Sequence, residues 1–136
     1  MITRTLVAVL LAAHGLIHLI GFLVPWRIAQ VEGFVYRTTA LGGSVELGAI
    51  GAQVVGLAWL AIAVGFLVAA VGAWRRAAWA PRLAAALAIA SLVVCVLGLP
   101  ETAAGIAVNL AILGGVMWLT VGRRRALTPA TGGGRG

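Results

Sequence analysis

Two histidines, His14 and His18, stand four residues apart in the first apolar run of the chain. That spacing puts both imidazoles on one face of a helix, where they could hold a metal, relay a proton or hydrogen-bond a ligand. Few other side chains offer chemistry. Gln53 and Asn109 lie inside the second and fourth apolar runs, Ser91 and Cys95 in the third, and Glu46 stands at the head of the second. A carboxylate such as Glu46 could add a third metal ligand to the pair. The structural reading is the first choice for each: imidazoles bonded to carbonyls or to Asn109 and Gln53 across helices, amides that lock helices together, and a thiol packed as a small hydrophobe. No nucleophile–base pair, carboxylate pair or phosphate-cradling loop accompanies them. Catalytic residues and a metal centre are therefore not assigned, and an enzyme is not the expectation. A haem held by both histidines of one chain is excluded, because axial ligands approach opposite ring faces and these two share one helix face.

The elements that must position these residues are apolar. Hydrophobic residues make up 62% of the 136 and charged residues 10%, against roughly 25% charged in a soluble domain. Most of the surface must then face lipid. Four runs, about 4–24, 47–73, 81–99 and 103–121, suit a hydrocarbon core about 30 Å thick, which takes roughly 20 helical residues to cross. No strand alternation of barrel type is present. The expected fold is all-α, a polytopic four-helix transmembrane bundle over residues 1–127 with a disordered Gly-rich tail at 128–136. The first run continues through both histidines to Val24 without an Ala-x-Ala site, so it is expected to stay as a membrane helix rather than be cleaved as a signal peptide.

All ten basic residues are Arg. Arg4, Arg75, Arg76, Arg82 and Arg123 to Arg125 flank one side of the bundle, whereas Arg27 and Arg37 flank the other together with Glu32, Glu46 and Glu101. The excess places both termini in the cytoplasm. Trp74, Trp79 and Trp118 fall near that inner boundary and Trp26 near the outer one, as interfacial indoles prefer; Trp59, mid-span, reads as a packing residue. The Arg residues only flank the spans, which argues against nucleic acid as a partner. Ala- and Arg-rich usage without any Lys is of the kind found in GC-rich bacteria, so the expected location is the cytoplasmic (inner) membrane.

Polar groups inside spans are costly, so their depth is informative. At about 1.5 Å per residue, His18, Gln53 and Asn109 all fall roughly 9 Å below the outer boundary, with His14 one turn deeper and Glu46 near the surface. The spacing predicts a ligand-binding cluster of His14, His18, Gln53, Asn109 and Glu46 in the outer half of the bundle. The outer link at 25–46 is long, and its Phe34, Val35 and Tyr36 suit a cap folded back over the bundle, with Gly42 and Gly43 as a turn. No helix or strand is assigned within it. In the third span, Ala84, Ala88, Ser91, Cys95 and Gly98 form a stripe of small residues, which permits close helix packing.

Two short stretches carry resemblances. Leu99-Pro100-Glu101-Thr102-Ala103, ahead of an apolar run and Arg123 to Arg125, resembles a sortase sorting signal with Ala in place of Gly, although a turn between two helices explains the same letters. Gly15-Leu16-Ile17-His18-Leu19-Ile20-Gly21 resembles the Gly-x-x-Lys-Leu-x-Gly signature of DoxX-like membrane proteins, with His18 where that family has Lys. Those are small four-helix proteins, some linked to membrane redox or quinone chemistry. The resemblance implies a redox-associated subunit with Gly15, His18 and Gly21 at the motif positions. The residues by themselves favour a non-catalytic membrane subunit or scaffold, working as a homo-oligomer or with a partner membrane subunit. The alternative is a redox-associated protein that binds a quinone or another small lipophilic ligand near His18; no cofactor is otherwise assigned.

Overall fold

The computed structural model describes residues 2–127, with side chains from Ile2 to Gly122. The tail expected to be disordered at 128–136 lies outside the described residues. The elements are α1 (Ile2–His18), a short α2 (Ile20–Leu23), a hairpin of β1 (Thr39–Ala40) and β2 (Val45–Glu46), then α3 (Gly48–Trp74), α4 (Ala80–Leu97) and α5 (Ala103–Leu127). Among the described residues four stretches are long and apolar enough to cross a membrane: Ile2–Leu23, Gly48–Trp74, Ala80–Leu97 and Ala103–Gly122. The chain is thus a bundle of four apolar helices, as read from the sequence.

Local chemistry sets the boundaries. The first span tightens at Leu19, whose N–H bonds to Leu16 O at 3.1 Å, a three-residue step between α1 and α2. At the end of α3 the Ala77 N–H bonds to Gly72 O (2.8 Å) and the Arg76 N–H to Ala73 O (3.2 Å). This is a Schellman stop, with Arg76 in the left-handed region at φ 59°. Pro81, in the first turn of α4, has its φ already set for a helix and loses no needed donor.

The spans pack in the order α1, α3, α4, α5, with α5 at the edge and little packing between α1 and α5. Small residues let the backbones approach. A methyl group on Gly15 of α1 would lie 3.0 Å from both Ala63 O and Phe66 Cβ of α3, and one on Gly65 would lie 2.5 Å from Leu87 Cδ2 of α4. The α4 stripe of Ala84, Ala88, Ser91 and Cys95 is buried, while Phe66 fills the centre with Leu11, Ile62 and Ala69 around it.

The link between α2 and α3 covers one end of the bundle. Its hairpin pairs Thr39 with Glu46 and Ala40 with Val45 around a turn at Leu41–Gly43. It grips the α4–α5 link through Gly42 N–H to Leu99 O (3.0 Å) and through an ion pair of Arg37 with Glu101 (2.8 Å). Trp26 anchors the near side, its indole N–H donating to Gln53 O at 3.1 Å and its ring lying against Gly56. At the opposite end the Arg4 guanidinium stacks over Trp74 at 5.5 Å.

The close approaches predict an order of costs. At Gly15 the obstructing atoms belong to backbone or to a Cβ and cannot yield, whereas the end of Leu87 can rotate away from Gly65. Gly15→Ala should cost about 2–3 kcal/mol, within the overpacking range, and Gly65→Ala under about 1. Denaturation in mild detergent checks this, and equal losses would show that α1 and α3 are not in backbone contact.

Candidate functional site

Four polar side chains and one thiol from three helices meet inside the bundle. His14 and His18 come from α1, Ser91 and Cys95 from α4, and Asn109 from α5, and none is more than 5% exposed. Asn109 is the hub. Its Oδ1 accepts from His14 Nε2 (3.1 Å), while its amide donates to Ser91 Oγ (2.7 Å) and to Gly105 O (2.9 Å). Ser91 Oγ–H in turn donates to His18 Nε2 (2.6 Å), and His18 Nδ1–H donates to His14 O (2.8 Å). Cys95 Sγ lies 3.8 Å from both Ser91 Oγ and Asn109 Nδ2.

One proton assignment satisfies this chain of bonds. A carbonyl accepts at His18 Nδ1, so that nitrogen carries the proton and Nε2 is the acceptor. An amide oxygen accepts at His14 Nε2, so the proton sits there instead. The two imidazoles are therefore opposite tautomers. No described residue bonds His14 Nδ1. Among the described residues the one fully buried side-chain nitrogen or oxygen without a partner is Arg4 Nε, so His14 Nδ1 keeps some accessible surface.

Aromatic rings hold the imidazoles in place. His14 meets His18 edge-on at 4.5 Å and Phe66 edge-on at 4.9 Å, and His18 tilts against Trp59 at 4.9 Å. Trp59 fits because position 21 has no side chain; a methyl there would lie 2.4 Å from its Cδ2. Gly15, His18 and Gly21 thus all lie at the interface of the first span with α3.

Between this polar floor and the α2–α3 link lies a cavity of about 280 Å³. His14, His18 and Cys95 line its depth, Gly21, Trp59 and Gly105 its sides, and Phe34 and Ala40 its ceiling, with Arg37 and Glu101 at the mouth. Ile17 and Val108 also line it, yet they are 60% and 42% exposed. These two exposed residues come from α1 and α5, which hardly pack on each other.

Two residues of the expected cluster lie elsewhere. Gln53 is exposed, one position past the buried Ala52, and only its backbone carbonyl is engaged, by Trp26. Its depth matches that of His18, but its side chain leaves α3 on the wrong face. Glu46 is exposed in β2, and its Oε1 accepts from Gly48 N–H at 3.0 Å, satisfying an open donor at the start of α3. Among the described residues no group of three His, Cys, Asp or Glu could hold a metal ion. Ser91, absent from the expected cluster, sits at its centre. The signal that could have found it was a hydroxyl on the buried small-residue stripe of α4. No family model, curated protein or solved structure matches the chain.

A network differs from separate contacts in its energetics. Asn109→Leu leaves the His14 N–H and the Ser91 hydroxyl short of partners and should cost about 1–3 kcal/mol. Ser91→Ala should cost less. Because the residues share bonds, the double variant should depart from additivity by at least about 0.5 kcal/mol. Strict additivity in bicelle denaturation would mean that the bonds are independent.

Proposed function

We propose that this chain spans the cytoplasmic membrane with both termini inside and binds a small lipophilic molecule in the capped cavity, beside His14 and His18. The observation that carries this reading is a cavity with a buried polar floor and with two exposed lining residues, Ile17 and Val108, on helices that hardly pack on each other. Ligand pockets are mostly apolar clefts with a few placed polar groups, at about 300–1,000 Å³ for drug-sized ligands. A cavity of about 280 Å³ suits a single ring, with any tail leaving between Ile17 and Val108 into lipid. The floor is satisfied among its own members except at His14 Nδ1, an acceptor. The ligand head therefore carries a hydroxyl or N–H donor. A quinol meets that description, and the resemblance of Gly15–Gly21 to the DoxX-like signature points the same way. The protein then acts as a redox-associated membrane subunit that presents or holds such a molecule; a catalytic role for its own side chains is not part of the proposal.

The orientation is supported by charge. All three acidic residues, Glu32, Glu46 and Glu101, lie in links at the capped end, whereas Arg4, Arg75, Arg76 and Arg82 lie at the other. A reporter fused after Arg125 should read cytoplasmic, and one inserted at Gly42 should read exterior; the reverse pattern would refute the orientation.

A second reading, the non-catalytic scaffold, draws on α5. Only 6% of its apolar window is buried within the bundle, which leaves most of the helix to lipid or to another subunit.

Retention of the ligand separates the two. Protein purified in mild detergent should yield a lipophilic compound on solvent extraction, near one per chain. Ile17→Trp, which narrows the path past Val108, and His14→Leu, which removes the free acceptor, should each lower its yield several-fold while the fold persists. Added back at about 100 times its dissociation constant, the compound should stabilise the protein by about 2.7 kcal/mol. Extracts identical in all three proteins would leave the scaffold reading.

A further inference from the structure

A second recess lies on the outside of α3, at the end of the bundle away from the cap. Val64, Leu67, Val68 and Val71 form its length, Trp79 one wall, and Arg75 is the charged residue that lines it. The wall is built locally. The Trp79 ring lies over Gly72, where a methyl would meet its Cη2 at 2.5 Å, so the indole stands beside α3 instead of turning away. The recess holds about 500 Å³. Val64, Val68, Val71 and Trp79 are each about half exposed, from 46% to 52%, so protein does not fill it.

We infer that this recess binds one anionic phospholipid, with an acyl chain along α3 and the phosphodiester on Arg75. Three observations fit that occupant. From Val64 to Arg75 the helix rises roughly 16 Å at 1.5 Å per residue, close to half of a hydrocarbon core about 30 Å thick. The recess is therefore one leaflet deep, with its charge at the interface.

The surrounding field is cationic and unneutralised. Arg4, Arg75, Arg76 and Arg82 lie at this end, the three acids lie in links at the other, and the one ion pair among the described residues, Arg37 with Glu101, is at the capped end. Basic clusters just inside a membrane attract anionic headgroups, and a guanidinium matches the phosphate oxygens in shape and charge. Finally, Arg4 stacks on Trp74, next in sequence to Arg75, and its Nε is buried with no hydrogen-bond partner. A nearby phosphate supplies the counter-charge this end lacks.

The inference rests on the bilayer-spanning reading but not on the cavity or its ligand. Its test begins with alkaline carbonate extraction of membranes containing the full chain, since release into the supernatant would refute the spanning reading itself. Protein that stays in the membrane is then delipidated and offered equal phosphatidylglycerol and phosphatidylcholine in mixed micelles, and bound lipid is counted by native mass spectrometry. Phosphatidylglycerol should be favoured about five-fold or more, the effect of one basic side chain near the surface. Arg75→Gln should abolish most of that preference. Val68→Trp, which fills the recess but keeps every charge, should lower retention of both lipids, and Arg27→Gln at the far end should change neither. Equal binding of the two lipids, or a preference that survives Arg75→Gln, overturns the inference. So does a Val68→Trp variant that changes oligomeric state and not lipid content, because a second copy would then be the occupant.

Discussion

A polar group buried among apolar helices has no water to fall back on, so each must find its partner within the protein. The link between Asn109 and Ser91 does this for three helices at once. Asn109 ties α5 to α1 through His14 and to α4 through Ser91, and Ser91 returns the connection to α1 through His18. The backbone joins the circuit where His18 Nδ1 meets His14 O. Apolar packing alone gives helices in lipid little reason to choose one rotation over another, whereas a closed set of donors and acceptors has few satisfactory arrangements. This network fixes how α1, α4 and α5 face each other, although α1 and α5 hardly pack. Ile17 and Val108, on the two sides of that sparse contact, both line the cavity.

The same geometry divides the molecule into two ends with different chemistry. One end is closed by the α2–α3 link, clasped to the α4–α5 link by Arg37 and Glu101 and by Gly42 on Leu99. Both partners of the ion pair line the cavity mouth, so the contact that holds the cap also bounds the space beneath it. The other end carries cations without acids and presents Trp74 and Trp79, each about half exposed. Ligand reading and lipid reading thus belong to opposite ends and depend on different residues.

The span limits were legible because composition changes sharply there. The second run, read as 47–73, is Gly48–Trp74, and the third, read as 81–99, is Ala80–Leu97. Counting rise per residue groups His18 with Asn109, whereas the direct bond of Asn109 runs to His14 and it reaches His18 through Ser91. Rotation was less legible. A helix with one polar side shows its buried face by contrast, but here both the core face and the exposed face of α3 are apolar. The small residues Gly48, Ala52 and Gly56 recur every four positions, and Ala52 and Gly56 are buried; Gln53 stands one position off that stripe, so depth alone does not turn it inward. Glu46 differs for another reason: it lies in β2, where its carboxylate accepts from the Gly48 N–H at the start of the next helix, a local bond that a reading by span does not expose. Ser91 was visible as a small residue, while its hydroxyl acquires a role only once His18 and Asn109 are known to flank it.

The network demands a particular proton on each imidazole, and with only two histidines in the chain these protons are directly observable. Solid-state NMR of the protein in lipid, with ¹⁵N-labelled histidine, reports which ring nitrogen carries hydrogen in each residue. The network predicts opposite tautomers, Nε2–H at His14 and Nδ1–H at His18, with a through-space contact from His14 to the Asn109 side chain. Two rings in the same tautomer, or rings that reorient freely, would contradict it.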